Sequence, residues 1–390
     1  MGAWQLTGGA GLETARYTNR TFQRKYEAED GVVNYNSRLN VASWSLFVQG
    51  GTRLIGGRLA LSTGFRFDGN NYDDNMRNMF RQFSPRLSLS YSLSSQWALN
   101  FNTGRYFQRP PLTAMGFRNN DGELVNQMNG IKYMQADHLV AGVEWLPRNS
   151  SKISVEGFYK IYRDYLFSVT DSVSLASKGG DFGTFGDEPL TSDGEGRAFG
   201  FEVLAREKDF KGWNIILSYT FVRSEFRDIS GSYVPSAWDN RHILNLTVLK
   251  TLGRNWNIGG KWRLVGGAPY TPWDLELSSV RPAWDVRNQP YPDYARYNTL
   301  RGNTFHQLDL RVDKQFFFEK WTLMLYFDVQ NAYNFKLKQQ DFVTNLNPDG
   351  TPRIDPATSQ LPYEQQRYLL RSLPNESGTV LPTLGIIVEI

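Results

Sequence analysis

Along most of the chain, apolar and polar side chains alternate with a period of two, the mark of strands whose two faces meet different surroundings. In "SPRLSLSYSLSSQWALNFNTGRYFQRPP", residues 84–111, Leu87, Leu89, Tyr91 and Leu93 share one face and Ser88, Ser90 and Ser92 the other. The pattern breaks near Ser94 and resumes with Trp97, Leu99 and Phe101 against Ala98, Asn100 and Asn102. Apolar faces of this kind recur at 4–12, 42–48, 59–67, 87–93, 97–101, 139–145, 153–161, 199–203, 213–221, 244–248, 256–264, 308–312, 321–329 and 384–390. They predict about fourteen strands of roughly ten residues or more, longer than is usual in soluble sheets.

The connections add direction. Tight turns are expected near Gly51, Ser94, Pro147, Asp209, Gly253 and Phe318, and long connections at 17–37, 68–82, 108–136, 163–195, 223–238, 267–303 and 334–381. Short and long alternate throughout, as they do when one rim of a membrane barrel carries turns and the other carries large loops. A soluble sandwich has no reason to keep its long loops at one end of every hairpin. The pattern predicts an all-β chain, a transmembrane antiparallel up-and-down β-barrel formed as a single segment over 1–390.

Trp97, Trp213, Trp256 and Trp321 each open the strand after a tight turn, while Trp145 closes the strand before one. At one height they would form an aromatic belt, since indole favours the headgroup level. The alternative, that Trp fills core near hairpin ends, does not account for the repeated offset. The opposite faces carry Arg58, Arg66, Glu144, Glu156, Lys160, Glu202, Arg206, Lys261, Arg263, Asp309, Arg311, Asp313 and Asp328. Charges of both signs there call for water or a polar plug.

Composition narrows the chemistry. The 390 residues include no cysteine, which removes disulfides, thiolate metal sites and a cysteine nucleophile together. A net charge of +4, with no run of like charges, speaks against nucleic acid as a partner. No stretch has the apolar length of a membrane helix, and "MGAWQLTGG" lacks the pattern of a signal peptide. Barrel strands need only every second residue apolar.

Several stretches resemble the C-terminal half of the barrel of TonB-dependent receptors, the energised outer-membrane transporters, with the flavour of their Bacteroidetes members. They are "SPRLSLSYSL…WALNFNTGRYFQRPP", "GRAFGFEVLARE", "WDNRHILNLTVLK", "WRLVGGAPYTPWD", "QLDLRVDKQF", "LYFDVQNAYN" and the closing "PTLGIIVEI", in order over most of 84–390. The resemblance implies a barrel of roughly 22 strands with an N-terminal plug, located in the outer membrane of a Gram-negative bacterium. Its function would be energised uptake of a scarce nutrient of the siderophore, vitamin, glycan or peptide class. The implied partners are outer-membrane lipid, the barrel assembly machinery, the TonB energy complex acting through a plug absent from this chain, and a surface lipoprotein. About eight strands and the plug are expected to precede residue 1, relative to roughly 22. Gly385, Val388 and Ile390 match the spacing of a C-terminal assembly signal, although Ile390 is not aromatic.

No enzymatic activity and no cofactor are expected. His138, His242 and His306 lie at the edges of different strands without a nucleophile motif. "NPDGTP", residues 347–352, reads as a turn and lacks a calcium-loop pattern. The Gly-rich stretch from 180 precedes a strand, not the helix that phosphate cradling needs. For ligand binding, the candidates are Tyr270, Trp273, Trp284, Tyr291 and Tyr294, with Tyr297, Asp274 and Arg287 beside them. They could stack on a sugar or an aromatic chelate, or merely form the outer girdle and pack the loop. Two rival functions use the same scaffold: a self-closing fourteen-stranded channel, and an outer-membrane hydrolase or adhesin.

Overall fold

The computed structural model describes residues 3–26, 31–179 and 186–390. Each period-two stretch forms a strand: β1 (Gln5–Arg24), β2 (Val32–Leu54), β3 (Leu59–Asn70), β4 (Ser84–Ser92), β5 (Trp97–Gln108), β6 (Met134–Arg148) and β7 (Ser151–Ser168). The series continues with β8 (Leu190–Phe210), β9 (Trp213–Arg227), β10 (Arg241–Leu252), β11 (Trp256–Val265), β12 (Phe305–Phe317), β13 (Thr322–Gln330) and β14 (Leu381–Glu389). Each strand pairs with the next in chain order, so the sheet is a single antiparallel meander.

Register shows that the apolar faces belong together. Residues directly opposite in an antiparallel pair point to the same side, and the partners are Leu12 with Trp44, Leu46 with Phe67, and Leu61 with Leu89. The same holds for Leu89 with Phe101, Leu99 with Val143, Val143 with Val155 and Tyr159 with Phe199. It continues through Phe201 with Phe221, Leu217 with Leu246, Trp262 with Leu308, Val312 with Phe327 and Leu325 with Ile386. A slip of one residue anywhere would turn every following side chain to the wrong face.

The expected turns shift by a few residues. Gly51 lies inside β2, paired with Gln5 and Ser62, and the turn is at 55–58. Pro147 and Asp209 fall within β6 and β8, whose turns are 149–150 and 211–212. The larger correction is the first long connection, because β1 and β2 stay paired up to Arg24 and Val32. The cause is a change in the phase of the pattern. Below this level the even positions of β2 are apolar; above it Leu39, Val41 and Tyr35 are buried at odd positions, while Asn36, Arg38 and Asn40 are exposed. A strand whose hydrophobic face changes sides midway reads as a loop.

Those odd positions meet an apolar core made by the long loops. Leu39 and Val41 cluster with Tyr72, Met76, Ala114, Met115, Ile131, Tyr133, Leu166 and Leu190. Asn126, buried beside the core, is fully bonded: it donates to the carbonyls of Ala114 (2.8 Å) and Glu188 (3.0 Å) and accepts from the Leu190 amide (2.7 Å). Tyr72 donates to the Met115 carbonyl (2.7 Å). The loops after β3, β5 and β7 therefore pack onto the inner face at one end of the sheet.

Candidate functional site

Three further connections meet the loop after β7 at the same end. Asn298, with a left-handed φ of 50°, donates through Nδ2 to the Ser177 carbonyl (2.9 Å) and the Pro235 carbonyl (2.8 Å). This ties the 266–304 loop to the loops before β8 and β10. Trp273 Nε1 donates to the Asp341 carbonyl (3.0 Å), and Gln340 Nε2 donates to the Thr271 carbonyl (3.0 Å), which adds the loop before β14. Asp239, fully buried, accepts from the Ser224 amide (2.9 Å) and is ion-paired with Arg301 and, at 3.4 Å, Arg223. Arg301 also reaches the carbonyls of Asp239 (2.5 Å) and Gly267 (3.1 Å), so one arginine clamps two loops.

The joint encloses a cleft of about 480 Å³ lined by Tyr270, Trp273, Tyr294 and Tyr297, with Trp238 and the amides of Asn240, Asn298 and Gln340. Tyr294 and Tyr297 stack at 5.6 Å. Burial pushes both phenols well above their ordinary range, so they remain protonated at neutral pH. The charged side chain on the cleft is Lys178, 9% exposed and neutralised by Asp171 and Glu188 (2.7 Å). Among the described lining residues the cleft thus offers ring faces and tyrosine hydroxyls, with no free charge, while the Asn298 amide is already engaged by the Ser177 and Pro235 carbonyls.

The expected aromatic cluster divides. Tyr270, Trp273 and Tyr294 come together on the cleft; Trp284 and Tyr291 do not line it. Trp284 is 3% exposed inside the helix Arg281–Arg287, whose Asp285 accepts hydrogen bonds from Tyr363 (2.9 Å) and Tyr368 (2.7 Å). Tyr291 donates to the Ala283 carbonyl (3.1 Å) and stacks under Arg287 at 4.5 Å. Asp274 caps a short helix through the Leu277 amide (2.9 Å). Trp238, Asn240 and Gln340 come from other loops and carry no local signal in the sequence.

The five belt tryptophans all lie at the short-turn end. Trp97 pairs and stacks with Trp145 (5.4 Å), Trp321 stacks on Phe318 (4.2 Å), and Lys250 and Lys314 lie over Trp213 (4.9 Å) and Trp256 (5.3 Å). At the C terminus Val388 and Ile390 are exposed. Gly385 lies under the Tyr326 ring, where a Cβ would come within 2.1 Å of a ring carbon, so a side chain would displace the tyrosine. His242 and His306 bond Tyr219 (2.8 Å) and Tyr333 (2.7 Å), and His138 packs against Tyr106 with the rings tilted, centroids 4.6 Å apart. No metal-ligand cluster occurs among the described residues. The Asp349 turn closes on Thr351 through its backbone amide (2.9 Å), and residues 180–185 of the Gly-rich stretch lie outside the described residues.

A family model described as TonB dependent receptor-like, beta-barrel matches residues 2–332. The chain belongs to the TonB-dependent receptor β-barrel family. It is an outer-membrane protein of the Gram-negative type, and the family is one of receptors and transporters. The fold is similar to that of the ferric-catecholate import receptor Fiu of E. coli K12 (TM-score 0.61, 13% identity, 99% of this chain and 52% of that one). It is also similar to the ferric enterobactin receptor PfeA of Pseudomonas aeruginosa (0.62, 14%, 99% and 51%). The ferric yersiniabactin uptake receptor FyuA of Yersinia pestis shows the same likeness (0.60, 14%, 99% and 51%). The chain spans about half the length of these solved receptors. No curated protein matches its sequence.

In an outer-membrane barrel the apolar face meets hydrocarbon, which yields a direct test. Leu217 pairs with Ala205 and Leu246 on that face, and Ser218 pairs with Leu204 and Asn245 on the other. Leu217→Arg is expected to cost roughly 2–4 kcal/mol in a denaturant titration, and Ser218→Arg much less. Equal losses would remove the assignment of faces.

Proposed function

We propose that the chain forms the wall and outer loops of a receptor that imports a scarce nutrient, energised by the TonB complex through a plug domain. The observation that carries this reading is the cleft built by four loops at the long-loop end. Its rings and amides suit a ring-bearing ligand held by stacking and hydrogen bonds. Siderophore, vitamin, glycan and peptide ligands all remain within that chemistry. A plug is further supported by the inner face, where Glu156 and Glu202 are direct cross-strand partners and form no ion pair among the described residues. Like charges so placed favour a cationic neighbour. Contact with lipid through the tryptophan belt, assembly through the C-terminal strand and a surface lipoprotein over the loops complete the proposal.

The test is uptake by whole cells of a ferric siderophore, a corrinoid vitamin, an oligosaccharide and a short peptide. One class is expected to need both this receptor and an intact proton motive force. Tyr270→Ala with Tyr294→Ala should weaken its binding about tenfold, as two lost ring contacts of roughly 0.5–1.5 kcal/mol each imply. Unchanged affinity in the double variant would move ligand capture away from the cleft. Uptake indifferent to the proton motive force in every class would end the energised reading.

A further inference from the structure

Among the described residues that line the cleft, the charged side chain is Lys178, the last residue of the short helix Leu175–Lys178 in the loop after β7. Asn298 reaches the carbonyl of the neighbouring Ser177 (2.9 Å) and so holds that helix against the 266–304 loop, with the Lys178 ammonium 5.9 Å from the centre of the Tyr294 ring. An ammonium has three N–H donors and no acceptor. All of them are spent inside the loop, on Asp171, on both oxygens of Glu188 (2.7 Å each) and on Ser168 Oγ (2.9 Å). Ser168 is fully buried and donates in turn to Glu188, which fixes that carboxylate in place.

Two carboxylates against one ammonium leave this cluster with one net negative charge. Its field reaches the rings: burial is the larger cause of the raised Tyr294 and Tyr297 phenols, and Asp171 and Glu188 add to it. The other cations of the neighbourhood are engaged or turned away. Arg287 lies over the Tyr291 ring at 4.5 Å, off the cleft, Arg296 is paired with Asp293 at 2.6 Å, and Arg301 is paired with Asp239. A carboxylate or phosphate entering the cleft therefore finds no guanidinium or ammonium donor among the described residues, the partner such a group requires away from water. It also meets a like charge behind Tyr294.

An uncharged sugar fits what remains. Its C–H faces stack on the rings of Tyr270, Trp273 and Tyr294, its hydroxyls pair with the phenols, and about 480 Å³ is the size of a small-molecule site. We propose that Asp171 and Glu188, by spending every donor of Lys178, set the cleft to take an uncharged oligosaccharide and to reject ligands that carry carboxylate or phosphate. The inference rests on the cleft being the capture site of the proposed receptor. Asp171 and Glu188 act through Lys178 and are specificity residues that need touch no ligand themselves.

The experiment measures binding to the purified full-length receptor in neutral detergent, with no energy source. The probes are neutral trisaccharides of glucose (α- and β-linked), mannose, galactose and N-acetylglucosamine, with trigalacturonate as the anion and the glucosamine trimer as the cation. One neutral trimer or more should bind, at least about tenfold more tightly than either charged trimer at low salt. Tyr270→Ala with Tyr294→Ala should weaken that binding, which places it on the cleft. Asp171→Asn with Glu188→Gln frees Lys178 and should raise trigalacturonate affinity about tenfold, a gain that shrinks as salt rises and disappears when Lys178→Met is added. Heat-modifiable migration checks that each variant is folded. Wild type that binds no neutral trimer, or binds a charged trimer as well as the best neutral one, would overturn the inference even if no variant folds. So would neutral binding unweakened in the folded tyrosine variant, or trigalacturonate affinity unchanged in the folded Asp171/Glu188 variant. Selective sugar binding without uptake driven by the proton motive force would leave the inference standing and end the import reading. Energised uptake of another ligand class with no neutral trimer bound would do the reverse.

Discussion

Asp239→Ala is expected to lower stability by about 3–5 kcal/mol, the usual loss when one partner of a buried charge network is removed. The carboxylate is fully buried, and three arginines converge on it: Arg301 and Arg223, with Arg241 at 4.0 Å. Its removal leaves Arg301 without a counter-charge and orphans the Ser224 amide, while Arg223 keeps Glu225. The consequence should be local first. Arg301 belongs to the loop that carries Tyr270, Trp273 and Tyr294, so that loop should lose its anchor before the strands separate. Limited proteolysis within 266–304 should accelerate strongly in Asp239→Ala. Asp239→Asn, which keeps an acceptor for Ser224, should fall in between. Cleavage at the wild-type rate in Asp239→Ala would show that the other contacts hold the joint alone.

The strands were legible because lipid on one side and a polar interior on the other impose a strict period of two. Leu217, Leu246 and Leu325 sit where that period placed them. The upper hairpin was not legible, since above the band the apolar positions pass to the opposite face: Leu39 and Val41 look inward where Ala42 and Trp44 look outward. Period-two reading assumes one phase per strand, and here the surroundings change partway along.

The cleft was half legible. Tyr270, Trp273 and Tyr294 stand out as a local aromatic excess, and the structure sets them on one cleft. Trp284 belongs to the same excess, yet the Asp285 contacts of its helix with Tyr363 and Tyr368 turn it inward. Composition gives the number of rings available and not the direction each faces. Asn298 and Asp239 are more instructive. Neither is part of a motif, and each has a partner more than 50 positions away along the chain, Ser177 and Pro235 for Asn298 and Arg301 for Asp239.

Residues 1–390 expressed alone are expected to give no heat-modifiable barrel and no energised uptake, whereas the same residues joined to about eight further strands and a plug should give both, on the roughly 22-strand plan of plugged transporters. The expectation follows from the edges of the sheet. β1 pairs only with β2, β14 pairs only with β13, and β1 and β14 do not pair with each other among the described residues. In hydrocarbon an unpaired backbone N–H or C=O costs several kcal/mol, so two open edges cannot persist in a bilayer. Closing fourteen strands on themselves would satisfy those groups, but it requires a tighter curvature and a different stagger from those of a wider cylinder. Steady single-channel conductance from residues 1–390 alone in planar bilayers would reverse the conclusion and make the chain a channel closed by its own first and last strands.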